Sequence, residues 1–218
     1  MAQIVFDLDG TLIDSAPDIR QVANTVLEAE GKGPVSLAQA ISFLGSGTHV
    51  LVQQMRDTVG IPDSEQDRIL KAFHTLYEGA FDLTEPYSGV RSALDTLATQ
   101  GHGLGICTNK PMRPCRAVLK HLKLDVVFPV VLGGDSLPER KPHPAPLLAT
   151  FDALGTGQRI YVGDSEVDAE TAERAGIPFL LFTQGYRKTA VEDLPHTATF
   201  DDFSALPDLI ADTLAAAS

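Results

Sequence analysis

The sequence predicts an α/β fold: a parallel sheet covered by helices on both faces and interrupted by a helical insertion. Three observations carry this expectation. Short apolar runs of strand length recur along the chain; helical patterns separate them from the second run onward; and one long helical stretch stands between the first two. With 218 residues, 44% of them hydrophobic, the chain can bury one large core or a core with a smaller partner.

The first strand is expected at Ile4 to Leu8. It runs into the stretch FDLDGTLIDS, Phe6 to Ser15, where Asp7 and Asp9 stand two residues apart among apolar neighbours. Side chains alternate along a strand, so residues two apart share a face. Two carboxylates side by side in an apolar setting repel one another and are costly to desolvate. Gly10 lets the chain leave the strand.

From Ser15 to Phe81 the pattern is helical throughout. Ile19, Val22, Val26 and Leu27 form one stripe, and Ile69, Leu70, Phe73, Leu76 and Tyr77 form another. Ser15, Ser36 and Ser64 suit helix starts, and Gly31, Gly45 and Gly60 suit helix ends. The stretch is too long for a simple crossover. It predicts an inserted helical module at 15–81 whose ends sit close together on the carboxyl edge of the sheet, with 1–14 and 82–218 forming the sheet domain.

The remaining strands are expected at Leu104 to Cys107, Val126 to Leu132, Ile160 to Val162 and Phe179 to Phe182. Pro129 cannot donate to a ladder, so it weakens the third of the five strands or places it near an edge. Between strands, Leu94, Leu97 and Ala98 mark one helix face, and Val118, Leu119 and Leu122 another.

Composition excludes some functions. The formal charge of −12 argues against binding nucleic acid through its phosphates. The longest apolar runs are strand-sized, which argues against a membrane span, and the N-terminus opens directly into the first strand without a basic leader. Cys107 and Cys115 read as reduced packing residues. A cytoplasmic protein is expected; its oligomeric state is left open.

In an open parallel sheet, ligands bind beyond the carboxyl ends of the strands. The polar residues follow that rule. The first strand ends in Asp7 and Asp9, the second in Thr108 and Asn109, and the fourth in GDSEVD with Asp164 and Asp168; RKPHP, with Lys141, precedes the helix before that strand. Taken singly, these are helix caps, turn residues or proline-rich starts. Together they bring four carboxylates to one edge. Their repulsion calls for a cation, and an all-oxygen site suits Mg2+. His74, His102, His121 and His196 have no ligand-like spacing, His143 suits a turn, and Arg187 and Lys188 suit solvent.

DLDGTL, CTNKP, RKPHP and GDSEVD, in that order across nearly the whole chain, resemble the motifs of the haloacid-dehalogenase superfamily of phosphotransferases. The resemblance implies a Rossmann-like core with an inserted helical cap. It also implies that Asp7 is a nucleophile forming an aspartyl-phosphate. Asp9 would give a proton to the leaving alcohol and later take one from water. Mg2+ would be held by Asp7, the Asp9 backbone carbonyl and Asp164, with Asp168 supporting its waters. Lys141 would bind Asp7 and the phosphate, and Thr108 and the Asn109 amide would hold phosphate oxygens. The aspartate at position 9 favours phosphate-ester chemistry over dehalogenation, and Thr11 favours phosphatases over sugar-phosphate mutases.

Further stretches, including FLGSGTHVLV, GGD with KPHPAPLL, and VGDSEVDAETAERAGIP, are similar to bacterial members that hydrolyse phosphoglycolate. A small phosphorylated metabolite is therefore the expected partner. Nucleotides, sugar phosphates, pyrophosphate and a phosphomutase reaction remain alternatives, as does a non-catalytic binding protein. Gly45, Ser46 and Gly47 either present amides and a hydroxyl to a substrate carboxylate or merely separate two helices. Some members carry a longer cap, so contacts of such extra segments have no counterpart here.

Overall fold

The computed structural model describes residues 1–216. The chain begins with β1 (Ala2–Phe6) and β2 (Ile13–Asp14), then α1 (Ala16–Ala29), α2 (Leu37–Ser42), α3 (Thr48–Val59) and α4 (Gln66–Tyr77). It returns through β3 (Glu85–Pro86) to α5 (Val90–Thr99), β4 (Gly103–Cys107), α6 (Met112–His121), β5 (Val130–Leu132) and α7 (Ala145–Leu154). It ends with β6 (Gln158–Gly163), α8 (Glu166–Ala175), β7 (Phe179–Phe182), β8 (Ala198–Phe200) and α9 (Leu206–Ala216).

Six strands form one parallel sheet in the order β5-β4-β1-β6-β7-β8. The central strand β1 is buried along its whole length, which is why AQIVF reads as an apolar run without alternation. Its side chains still divide between two faces. Ile4 and Phe6 join Ile106, Val162 and Leu180 on one, whereas Val5 joins Tyr161, Leu181 and Phe151 on the other. The chain leaves β1 towards β4 and β5, then returns to β1's other side with β6. The order thus reverses between β1 and β6, which is where a crevice forms beyond the carboxyl ends of such a sheet.

The helical stretch packs around its own apolar cluster, with Ile19, Val26, Val52, Met55, Ile69 and Phe73 all buried. Its ends meet as expected: β2 and β3 pair antiparallel, Ile13 with Pro86 and Asp14 with Glu85. Asp18 reinforces the closure by accepting from Leu83 N at 3.0 Å and Thr84 Oγ1 at 2.6 Å. Ser36 starts α2 with a reciprocal capping box to Gln39, and Gly60 ends α3 in the left-handed conformation with φ 69°.

Several local expectations shift. β1 begins and ends two residues earlier than the apolar pattern suggested, so Asp7 and Asp9 lie in the loop just beyond it. The run from Val126 shortens to Val130–Leu132, because Pro129 cannot enter the ladder and Val126 is turned to solvent; β5 is the edge strand. Ser64 lies inside a short 3-10 turn, and α4 starts after Glu65. Leu76 and Ala98 are exposed rather than part of their helices' buried faces. β8 and the β2–β3 ribbon are additional elements. Cys107 and Cys115 are buried, unpaired and on opposite faces of the sheet. Among the described residues no helix is long and apolar enough to cross a membrane.

Candidate active site

Three buried carboxylates gather beyond β1 and β6: Asp7, Asp164 and Asp168 each offer an oxygen within 4.8 Å of the others'. One ammonium stands among them. Lys141 Nζ lies 2.9 Å from Asp7 Oδ1 and 2.7 Å from Asp168 Oδ1, and it donates to Tyr161 Oη at 2.9 Å. Burial works to lower its pKa, but the charges of Asp168 and Asp7 outweigh this and hold Lys141 firmly cationic.

The three acids differ in their partners. Asp168 accepts from Lys141, Tyr161 and both the hydroxyl and amide of Ser165. Burial works to raise its pKa, but those donors hold it below its ordinary value. With both oxygens occupied, it serves as an anchor for Lys141. Asp164 accepts from Thr11 Oγ1 at 2.7 Å and Tyr186 N at 2.6 Å, yet burial and the neighbouring Asp168 and Asp7 charges push its pKa well up. Asp7 is pushed up to about 6 by burial, with Asp168 adding to the rise and Lys141 opposing it.

Backbone geometry makes room for this cluster. Gly10 has φ +87°, and a Cβ there would stand 2.5 Å from Asp164 Oδ2; at Gly185 it would stand 2.3 Å away. Both positions require glycine for close approach.

The donor set fits a hard divalent cation. Asp7 is buried, and its Oδ1 lies 2.9 Å from Lys141 Nζ, an ammonium that Asp168 shares. The group is all oxygen, and one ammonium does not balance three carboxylates.

Asp9 points elsewhere. Its Oδ1 accepts from Ser15 Oγ at 2.6 Å and Lys110 Nζ at 3.0 Å. Asp7 and Asp9 thus face different partners, one Lys141 and the other Lys110, although they are two residues apart. Both line a small cavity of about 40 Å3 between the sheet edge and the helical insertion. Thr108, Asn109 and Lys110 line it from the sheet side; Gly45, Gly47, Thr48 and Tyr77 line it from the insertion. Ser46 and Lys141 are not among the lining residues.

Thr108 and Asn109 are buried at the end of β4. Asn109 Nδ2 donates to Gly45 O at 2.9 Å and Lys141 O at 3.0 Å, tying the insertion to the lysine loop. Gly47 starts α3, so Gly45–Gly47 is the link between α2 and α3. The histidines take bland roles: His102 accepts from Ala2 N, His121 stacks on Phe81, and His143 accepts from Ala145 N at the start of α7. Lys188 is exposed but donates to Leu44 O at 3.2 Å, next to Gly45.

Sequence reasoning missed Lys110, Tyr77, Ser15 and Tyr186 as site residues. Lys110 carried a usable signal, as a cation next to Asn109 at a strand end. Tyr77 looked like one more apolar position of the α4 stripe. Tyr186 Oη accepts from Ser15 N and Ala16 N and donates to Asp14, so it locks the insertion's first hinge to the loop after β7. Nothing in the sequence pairs Tyr186 with that hinge.

A model of the haloacid dehalogenase-like hydrolases matches residues 4–182. The chain is 46% identical over 218 residues to a phosphoglycolate phosphatase of Cereibacter sphaeroides, covering 99% of this chain and all of the relative. It is 45% identical over 210 residues to one of Rhodobacter capsulatus, covering 95% of each. Among solved structures, a predicted phosphoglycolate phosphatase from Haemophilus somnus superposes with a TM-score of 0.91 at 30% identity, over 96% of this chain and 98% of that one. By motif order, by fold and by these matches, the chain belongs to the haloacid dehalogenase-like hydrolase family.

Proposed function

We propose that this chain is a magnesium-dependent phosphatase that hydrolyses a small phosphate monoester, 2-phosphoglycolate, to glycolate and phosphate. The observation that carries this is the division between Asp7 and Asp9. One carboxylate lies against Lys141, an ammonium it shares with Asp168; the other is held by Ser15 and Lys110 on the same cavity. The substrate follows from the full-length relatives, which are named phosphoglycolate phosphatases.

In this mechanism an Asp7 oxygen attacks phosphorus, and the bond from phosphorus to the alcohol oxygen breaks. Asp9 passes its proton to that oxygen. A water then attacks the phosphoryl group on Asp7 while Asp9 takes the water's proton, releasing phosphate and restoring Asp7. Lys141 keeps Asp7 ionised and in place. Thr108 and the Asn109 amide hold phosphate oxygens. Asp7, Asp164 and the Asp9 backbone carbonyl would hold Mg2+, which when bound supplies positive charge against the transferring phosphoryl group. Asp168 contributes by fixing Lys141.

The insertion at 15–81 acts as a cap, and its Gly45–Gly47 link closes over the substrate and excludes water. The two buried thiols suit a cytoplasmic setting.

Phosphate release from a panel of esters, with and without Mg2+, tests the reading. Phosphoglycolate is expected to be turned over best, and only with the metal. Equal or better turnover of sugar phosphates or nucleotides contradicts the substrate. Asp9→Asn is expected to slow turnover on the order of 10²-fold or more, through lost proton transfer.

A further inference from the structure

Among the described residues lining the cavity, Lys110 is the single cation. Its side chain is only 3% exposed. A buried ammonium is costly unless it is paired, and this one is paired from two sides. Nζ donates to Asp9 Oδ1 at 3.0 Å and to Tyr77 Oη, and it lies 4.4 Å from the Tyr77 ring centre. Burial works to lower its pKa, but Asp9 and Tyr77 together outweigh that.

Tyr77 belongs to the helical insertion, and Lys110 and Asp9 to the sheet side, so the ammonium stands where the two meet. It has three N–H donors. Asp9 takes one through Oδ1 at 3.0 Å and a weaker one through Oδ2 at 3.4 Å, and Tyr77 Oη takes the other, so the long Oδ2 contact is the one most readily given up.

The position matters because of what Asp9 does in the proposed reaction. The ester oxygen that leaves phosphorus must lie beside the Asp9 carboxyl group. In a phosphorylated 2-hydroxy acid, the carboxylate is one carbon further on, its oxygens about 3 Å from that ester oxygen. A group bonded to Asp9 from the cavity wall is thus within reach of the carboxylate, and Lys110 is that group.

We propose that Lys110 is a specificity-determining residue: its ammonium, shared by Asp9 and Tyr77, pairs with a carboxylate next to the ester oxygen and selects phosphorylated 2-hydroxy acids over phosphates of neutral alcohols. The inference rests on the phosphatase reading above. It adds a charged contact from the sheet side to the uncharged Gly45–Gly47 link. Neutral alcohols offer the buried donor no acceptor of comparable charge, so they gain less on binding.

The test compares kcat/KM for 2-phosphoglycolate and ethyl phosphate, which has a methyl group in place of the carboxylate. Lys110→Met slows both substrates, because Asp9 loses a partner, so the ratio of the two isolates carboxylate recognition. That ratio is expected to fall on the order of a hundredfold, mostly through a raised KM for phosphoglycolate. Lys110→Gln keeps donors for Asp9 and Tyr77 without the charge, and it reads the same ratio should the methionine variant not fold. Tyr77→Phe keeps the ammonium and is expected to keep the preference. An unchanged ratio in the lysine variants, with a wild type that prefers phosphoglycolate, overturns the inference and leaves the phosphatase reading standing. A wild type without that preference overturns the substrate reading and the inference with it.

Discussion

Asp7→Asn is expected to remove turnover, by on the order of 10⁴-fold or more, while the chain stays folded. Asparagine has nearly the same shape but is a far poorer nucleophile, and no other group at the site takes its place. Asp168 is saturated by donors, and Asp9 is held away by Ser15 and Lys110. The fold should tolerate the change. Burial and the neighbouring Asp168 push Asp7 up to about 6, so its ionised form is an electrostatic burden on the folded chain at neutral pH. Without metal, the variant is expected to melt no lower than the wild type. Phosphate release and a thermal melt on one preparation check both halves. Undiminished turnover contradicts the covalent mechanism.

Lys141→Met is expected to damage folding as well as catalysis. The ammonium is almost fully buried and is the cation that Asp7 and Asp168 share. Removing one partner of a buried ion pair leaves charge uncompensated, at a cost of about 3–5 kcal/mol. Turnover should fall with it, since Asp7 loses the group that keeps it ionised. The pH dependence has a definite sign. In the wild type, Asp168 is held below its ordinary 3.8, so its contribution is present above that pH and fades only as pH drops through the lowered value. Without Lys141, burial dominates and the folded pKa rises above the unfolded one. The variant is then most stable in acid and loses stability as pH rises through the raised value. Melts from acid to neutral pH should show the gap between variant and wild type widening with pH; a constant gap contradicts the pairing.

Much of the site was legible because charge and pattern disagree there. Asp7 and Asp9 follow an apolar run that buries every residue of β1, so their charges need a reason beyond solubility. Asp164, Lys141 and Thr108 stand at corresponding places, and topology alone carries them to one edge. The helical insertion was legible from its stripes and length. What stayed hidden depends on contacts between segments far apart in sequence. Tyr77 satisfies the α4 stripe with its ring while its hydroxyl meets Lys110, and periodicity sees only the ring. Tyr186 works through a hinge on the other side of the chain. β8 is only three residues long, Ala198–Phe200, too short to show an alternation, and it is held by its place beside β7.

The covalent role of Asp7 is tested most directly by trapping. The wild-type chain, with Mg2+ and 2-phosphoglycolate carrying a radiolabelled phosphoryl group, is quenched in acid during turnover and the protein counted. The account predicts label on the chain, released by hydroxylamine as an acyl phosphate is, mapping to the peptide with Asp7 and absent from Asp7→Asn. Phosphate release with no labelled chain, or label that survives hydroxylamine or maps to another residue, would contradict it.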